Sequence, residues 1–157
     1  MAPIKPEISP NHGPARAHTL GVIVHSTRGG LPYGQEYQTA IRWLCNPKSG
    51  VSAHAVIGRE QGQLTVLLDT SLEAWHCREL NATHIGYELE QPTADDEYTS
   101  WQYVTLARLV KRDSQRYGFP LGSVCGHDST VPGKRDGKTD PGRQFSWNRF
   151  GGILAAL

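Results

Sequence analysis

The chain has 157 residues, the length of one domain, and 38% of them are hydrophobic, enough for one core. Sixteen Lys and Arg against fifteen Asp and Glu leave a formal net charge of +1, which argues against a nucleic-acid binder working by phosphate neutralisation. Moderate charge with four Trp and six Tyr argues against a disordered chain, while seven His, 17 Gly and 10 Pro point to sites carried on loops.

Residues 1–17 carry Pro and charge where a signal peptide would place its apolar segment, and read as an irregular arm before a single domain over 18–157. No apolar run approaches the roughly 20 residues of a membrane span, so stable membrane insertion is not expected. Cys45, Cys77 and Cys125 are odd in number and far apart, which fits reduced thiols in a protein made in the cytoplasm. Release by cell lysis would leave the same signature.

The run at 20–25 (LGVIVH) is β-branched and short, as a buried strand is. At 35–45, Tyr37, Ile41 and Leu44 recur at helical spacing before Asn46-Pro47 stops the helix. Segments 54–57 and 64–68 read as strands joined by the hairpin-like GREQGQ. Residues 85–90 alternate, with Ile85, Tyr87 and Leu89 on one side and Gly86, Glu88 and Glu90 on the other. Thr99 and Gln102 fit a capping box for a helix whose stripe is Tyr103, Leu106, Ala107 and Val110, closed by Gly118 and Pro120. A strand at 123–125 leads into a Pro- and Gly-rich loop at 127–142, and 147–157 reads as a last helix interrupted at Gly151-Gly152. Strands interleaved with helices indicate an α/β domain, a central mixed β-sheet flanked by helices.

His25 closes a buried strand, His127 opens the long loop, and Asp140 stands near its end, held extended by Pro141. Two His and one carboxylate make a catalytic zinc set that leaves a fourth position for water, although a single His is more often structural. Cys125 is a rival ligand, since a thiolate binds zinc well and a strand would point it to the side of His127.

The segments GVIVHSTRGG, VSAHAVIGREQGQL, AWHC, IGYELE and GHDSTVPGKRDGKTDPG fall in the order seen in the type 2 zinc amidases. The chain thus resembles the N-acetylmuramoyl-L-alanine amidases, a family related to phage lysozyme-amidases, anhydromuropeptide amidases and peptidoglycan recognition proteins. The resemblance spans residues 20–150, and GHDSTVPGKRDGKTDPG is its most specific piece. It implies a single domain of that fold, one catalytic zinc on His25, His127 and Asp140, and hydrolysis of the amide joining N-acetylmuramic acid to L-alanine.

Some relatives place a Tyr where this chain has Ala53, so the proton-transfer role is expected at Glu88 of IGYELE, with Glu90 the runner-up. Lys138 falls on the family's catalytic lysine, placed to stabilise an oxyanion. His76, Trp75 and Asn81 are expected to contact substrate, and His54 to lie on the cleft floor in a structural or ligand-supporting role rather than as a ligand; His12 and His18 carry no expected role.

Peptidoglycan or a soluble muropeptide is the implied partner, met by a monomer. The short chain favours a phage-type endolysin that reaches the wall after release, over a cytosolic enzyme recycling anhydromuropeptides. Two other readings compete. One is a recognition module that binds muropeptides without cleaving them, members of which typically lack a zinc ligand; the other is a Cys–His hydrolase built on Cys77 or Cys125.

Overall fold

Strand alternation sets the architecture of the computed structural model, which describes residues 8–157. The strands are β1 (His12–Ala15), β2 (Gly21–Ser26), β3 (Ala55–Ile57), β4 (Leu64–Val66), β5 (Leu72–Ala74), β6 (His84–Leu89) and β7 (Val124–Gly126). The helices are α1 (Gln35–Leu44), α2 (Ser100–Tyr117), α3 (Val131–Arg135) and α4 (Trp147–Ala156). Five strands form the central sheet in the order β4-β3-β6-β2-β7. All its pairings are parallel except β3 with β4, so the sheet is mixed.

Val22 and Val24 of β2, Ala55 and Ile57 of β3, and Ile85, Tyr87 and Leu89 of β6 share one core with Leu106, Ala107 and Val110 of α2 and Phe150 and Leu154 of α4. Cutting one of these large side chains to Ala costs roughly 2–5 kcal/mol in a packed core. Val56 points the other way, into a smaller core with Tyr37, Ile41 and Leu44 of α1. The period of 2 therefore sends alternate residues of one strand into two different layers.

The capping box at Thr99 and Gln102 forms, and Gly118 ends α2 in the left-handed conformation at φ 79°. Three expectations need correction. Residues 8–17 of the expected arm are tied into the domain: β1 pairs antiparallel with β5, Ser9 Oγ donates to the Leu44 carbonyl at 2.6 Å, and Asn11 Nδ2 to that of Val51 at 2.9 Å. The rest of that arm, residues 1–7, lies outside the described residues. The last helix also runs through Gly151-Gly152 without a break, because Ser146 caps it and buried Phe150 and Leu154 anchor it on either side. Finally, the long loop is not all coil, since it contains a short 3-10 turn at His127–Ser129 and then α3.

No helix among the described residues is long and apolar enough to cross a membrane.

Candidate active site

The site lies at the carboxyl ends of the parallel strands, where an open α/β sheet usually places its ligands. Register builds its centre. His25 is paired with Glu88 across β2 and β6, and both belong to the set of strand residues that faces away from α2. Gly126, the last residue of β7, pairs with Val24, so His127 follows directly beside His25. Asp140 arrives from the far end of the loop. Its main-chain oxygen accepts from the Asp128 N–H at 2.8 Å, and its Oδ2 accepts from the Ser26 N–H at 3.2 Å. Tyr98 Oη, donating to the Pro141 carbonyl at 2.8 Å, holds the next residue.

One ligand atom each from His25, His127 and Asp140 lies within 4.8 Å of the others. His25 Nδ1 and His127 Nδ1 are 3.1 Å apart, and each stands 3.3–3.5 Å from the Asp140 carboxylate. Two imidazole nitrogens and a carboxylate, all buried and converging, fit the donor set of a divalent metal. Cys125, the rival ligand, is not part of this group. Burial pushes its thiol pKa up, disfavouring the thiolate, which also weakens its case as a nucleophile. The other thiol weighed as a nucleophile, Cys77, is buried, with its Sγ 3.6 Å from Thr130 Oγ1.

Electrostatics bind the cluster together. Burial works against the His127 imidazolium, but hydrogen bonding to the Asp140 carboxylate, helped by the nearby Cys77 sulfur, outweighs it and raises its pKa to about 9. Burial likewise opposes the Asp140 carboxylate, yet hydrogen bonds to His127 and His25 hold it well below the usual carboxylate range. Burial lowers His25.

Glu88 and Glu90, two residues apart, have opposite surroundings. Glu90 is fully buried and lies just past β6; its Oε1 accepts from the Gly34 and Tyr37 N–H groups at 2.6 and 3.2 Å, and its Oε2 from the Arg59 N–H at 2.9 Å. It thereby caps the start of α1, where Gly34 has no side chain to do so. This removes Glu90 as runner-up for proton transfer. Glu88 Oε2 is sealed from solvent with no hydrogen-bond partner among the described residues, although the residue lines the cleft. Burial first, and the Asp140 charge second, push the Glu88 pKa up to about 8.

The cleft has a volume of about 970 Å³ and is lined beyond these groups by Arg28, Trp43, Val51, Trp75, Asn81 and Lys138. Lys138 is exposed on its rim, with no ion pair to its amino group among the described residues. Trp75 exposes 37% of its surface, so it is not the core residue a Trp often is. Asn81 lines the cleft, but its Oδ1 is already occupied by the His76 and Cys77 N–H groups at 2.9 and 2.7 Å. His54 departs from its expected place on the cleft floor. It is fully buried, accepts from the Gly86 N–H at Nδ1 (3.0 Å), and meets the Leu72 carbonyl at Nε2 (2.9 Å). His76 does line the cleft, but both its ring nitrogens meet protein atoms, Nδ1 with His25 and Nε2 with the His84 carbonyl.

Sequence reasoning missed Ser26, whose main chain positions Asp140, and the influence of Cys77 on the His127 pKa. The position of Cys77 beside His76 in AWHC was the available signal.

The chain is 30% identical over 166 residues to N-acetylmuramoyl-L-alanine amidase A of Achromobacter lyticus, covering 95% of this chain and 90% of that protein. It is 34% identical over 113 residues to the 1,6-anhydro-N-acetylmuramyl-L-alanine amidase AmpD of Salmonella typhimurium, covering 67% of this chain and 58% of AmpD. Among solved structures, a selenomethionine derivative of AmpD superposes with a TM-score of 0.80 at 25% identity, covering 98% of this chain and 96% of that one. AmiD from E. coli, solved with the substrate anhydro-N-acetylmuramic acid-L-Ala-D-gamma-Glu-L-Lys, shares the fold at a TM-score of 0.70 and 23% identity, covering 88% of this chain and 58% of that one. The family model for N-acetylmuramoyl-L-alanine amidase matches residues 16–143, most of the length, and the chain therefore belongs to the N-acetylmuramoyl-L-alanine amidase family.

Proposed function

We propose that this amidase works with one zinc ion held by His25, His127 and Asp140, with Glu88 moving the proton and Lys138 facing the oxyanion. The observation that carries the reading is the convergence of those three ligand atoms within 4.8 Å beside a carboxyl oxygen that has no partner. The chemistry a zinc ion supplies when bound is Lewis acidity toward the scissile carbonyl and a lowered pKa for water, from 15.7 toward about 7.

Glu88 takes the proton of the attacking water and returns it to the L-alanine nitrogen as the C–N bond breaks. A cation among the neighbouring ligands favours the ionised carboxylate needed for the first transfer. The Lys138 ammonium, free on the rim, supplies positive charge where negative charge develops on the carbonyl oxygen. Trp75 offers an apolar wall for the substrate, and the amide nitrogen of Asn81 a polar contact.

For the form of the substrate, we infer the wall polymer itself, attacked after release of the enzyme as by a phage-type endolysin. The relative matched over 90% of its own length is named for the ordinary muramoyl bond, whereas AmpD is matched over 58% of its length. The AmpD superposition favours a second reading, cleavage of soluble anhydromuropeptides. The test is digestion of intact sacculi and of purified anhydromuropeptide by the zinc-loaded protein, reading the free amino terminus of L-alanine. Release from sacculi at the higher rate supports the first reading, and release from the soluble fragment alone supports the second. Binding of either with stoichiometric zinc and no release overturns the catalytic assignment of Glu88 and Lys138.

A further inference from the structure

His76 and Gly86 are not used by the reaction as drawn so far, yet they stand directly behind its most buried ligand. The Nε2 of His76 lies 2.9 Å from the main-chain oxygen of His84. A carbonyl only accepts, so that nitrogen carries the proton and the neutral His76 ring has a bare Nδ1. This Nδ1 lies 2.9 Å from His25 Nε2, which must then donate. A neutral His25 ring with its proton on Nε2 has its lone pair on Nδ1, the atom that faces His127 and Asp140. His25 is buried, and half-buried His76 meets an imidazole and a carbonyl, neither of them an anion that would hold a second proton on its ring.

The seat of the His76 ring is set by β6. A Cβ on Gly86 would come within 2.5 Å of His76 Cγ and Nδ1, so the ring rests on a strand position that only glycine leaves open. From below, Asn81 Oδ1 accepts from the main-chain N–H groups of both His76 and Cys77.

We infer that His76, seated on Gly86 and anchored by the His84 carbonyl, is a positioning residue that fixes the His25 tautomer with its Nδ1 lone pair toward the metal position. The inference rests on the metal reading for its purpose, but its central claim concerns the tautomer of the metal-free protein. It replaces the direct substrate contact expected for His76, since no ring nitrogen is left for a substrate. Outer partners of this kind typically contribute about 10–100-fold to metal affinity.

The experiment uses the full chain, metal-free and zinc-loaded. Imidazole ¹⁵N shifts in the metal-free protein should show His25 as a single tautomer protonated at Nε2. His76→Phe should average the two tautomers of His25 and weaken zinc binding, measured by chelator competition, by about 10–100-fold. His76→Gln, whose amide can accept from His25 and donate to His84, should restore most of both. Gly86→Ala should reproduce the His76→Phe result by displacing the His76 ring, with the histidine itself unchanged.

A wild-type His25 protonated at Nδ1 overturns the inference, whatever any variant does. So does a folded His76→Phe protein with an unchanged His25 tautomer and wild-type zinc affinity. If the wild type shows the Nε2–H tautomer but binds zinc no better than His25→Ala, the metal reading fails and the positioning of His25 stands.

Discussion

On the side facing α2 and α4, strands β2 and β6 present Val22, Val24, Ile85, Tyr87 and Leu89; on the other side the same strands present His25, Gly86 and Glu88. The first set is interchangeable in kind, being apolar volume against apolar volume, and its loss is felt as stability. The second set is not, because each member makes one particular contact or leaves one particular atom unpaired. Because the two sets alternate along one backbone, the apolar face fixes the strands and thereby fixes the spacing of His25 and Glu88. The difference teaches that position relative to the sheet, not residue type, assigns roles here. Glu88 and Glu90 are the sharpest instance, since both are glutamates of one segment, one lacking a partner and the other bonded to three main-chain N–H groups.

The comparison breaks most visibly at the ligands. His25→Ala, His127→Ala or Asp140→Ala should abolish zinc binding and lower turnover at least about a thousandfold, since metal chemistry is worth several kcal/mol in the transition state. Metal content and L-alanine amino-terminus release measure the two effects, and turnover persisting without metal would break the assignment.

The glutamate pair comes next. Glu88→Gln should keep zinc and folding stability while turnover falls about 10²–10⁴-fold, the usual share of a proton-transfer group. Glu90→Gln should do the reverse: turnover per folded molecule stays near wild type, and urea unfolding shows a loss of about 1.5–3 kcal/mol from weakened charged hydrogen bonds. A large turnover loss in Glu90→Gln with unchanged stability would reverse the roles. Lys138→Ala sharpens the same face from the rim, with about 10²-fold lost in turnover and zinc retained.

How far these roles could be read from the sequence follows the same division. Alternation made the apolar face of β6 legible, and the KTDPG motif made Lys138 and Asp140 legible. The role of Glu90 was hidden because its partners, Gly34, Tyr37 and Arg59, are brought to it only by the tertiary fold. The β1–β5 pair was hidden for a different reason. Its strands are four and three residues long, and β1 contains Gly13 and Pro14, so local propensity argues against a strand that pairing nonetheless forms. The structural role of His54 was legible, but not its place, because a buried His and a cleft His look alike in a strand pattern.

His54 offers a test on stability alone. Burial lowers its pKa from 6.5 to about 4, so the unfolded chain takes up a proton at a higher pH than the folded one does. Its contribution is therefore complete above pH 6.5, falls as the pH drops from there toward 4, and levels off below. The span corresponds to about 3 kcal/mol at 1.36 kcal/mol per pH unit. Urea unfolding of the metal-free protein at several pH values should show this loss, and His54→Gln should flatten it relative to the wild type. Equal slopes in the two proteins would show that His54 does not titrate as its burial requires.

The smallest effect lies on the apolar side, in α4. Gly151 and Gly152 are exposed within a continuous helix, and a Cβ at either meets nothing within 4 Å. Neither has the positive φ that would strain an alanine. Replacing Gly by Ala at such a position narrows the unfolded ensemble and stabilises by about 0.4–1 kcal/mol. At this chain length that is a rise in Tm of roughly 1–4 °C per substitution. The helix packs on α2 through Phe150 and Leu154, on the side of the sheet away from His25 and Glu88, so zinc affinity and turnover should not move. A gain in Tm with unchanged turnover would support the division of labour between the two faces. A change in turnover without a change in Tm would mean that the α2–α4 layer reaches the site after all.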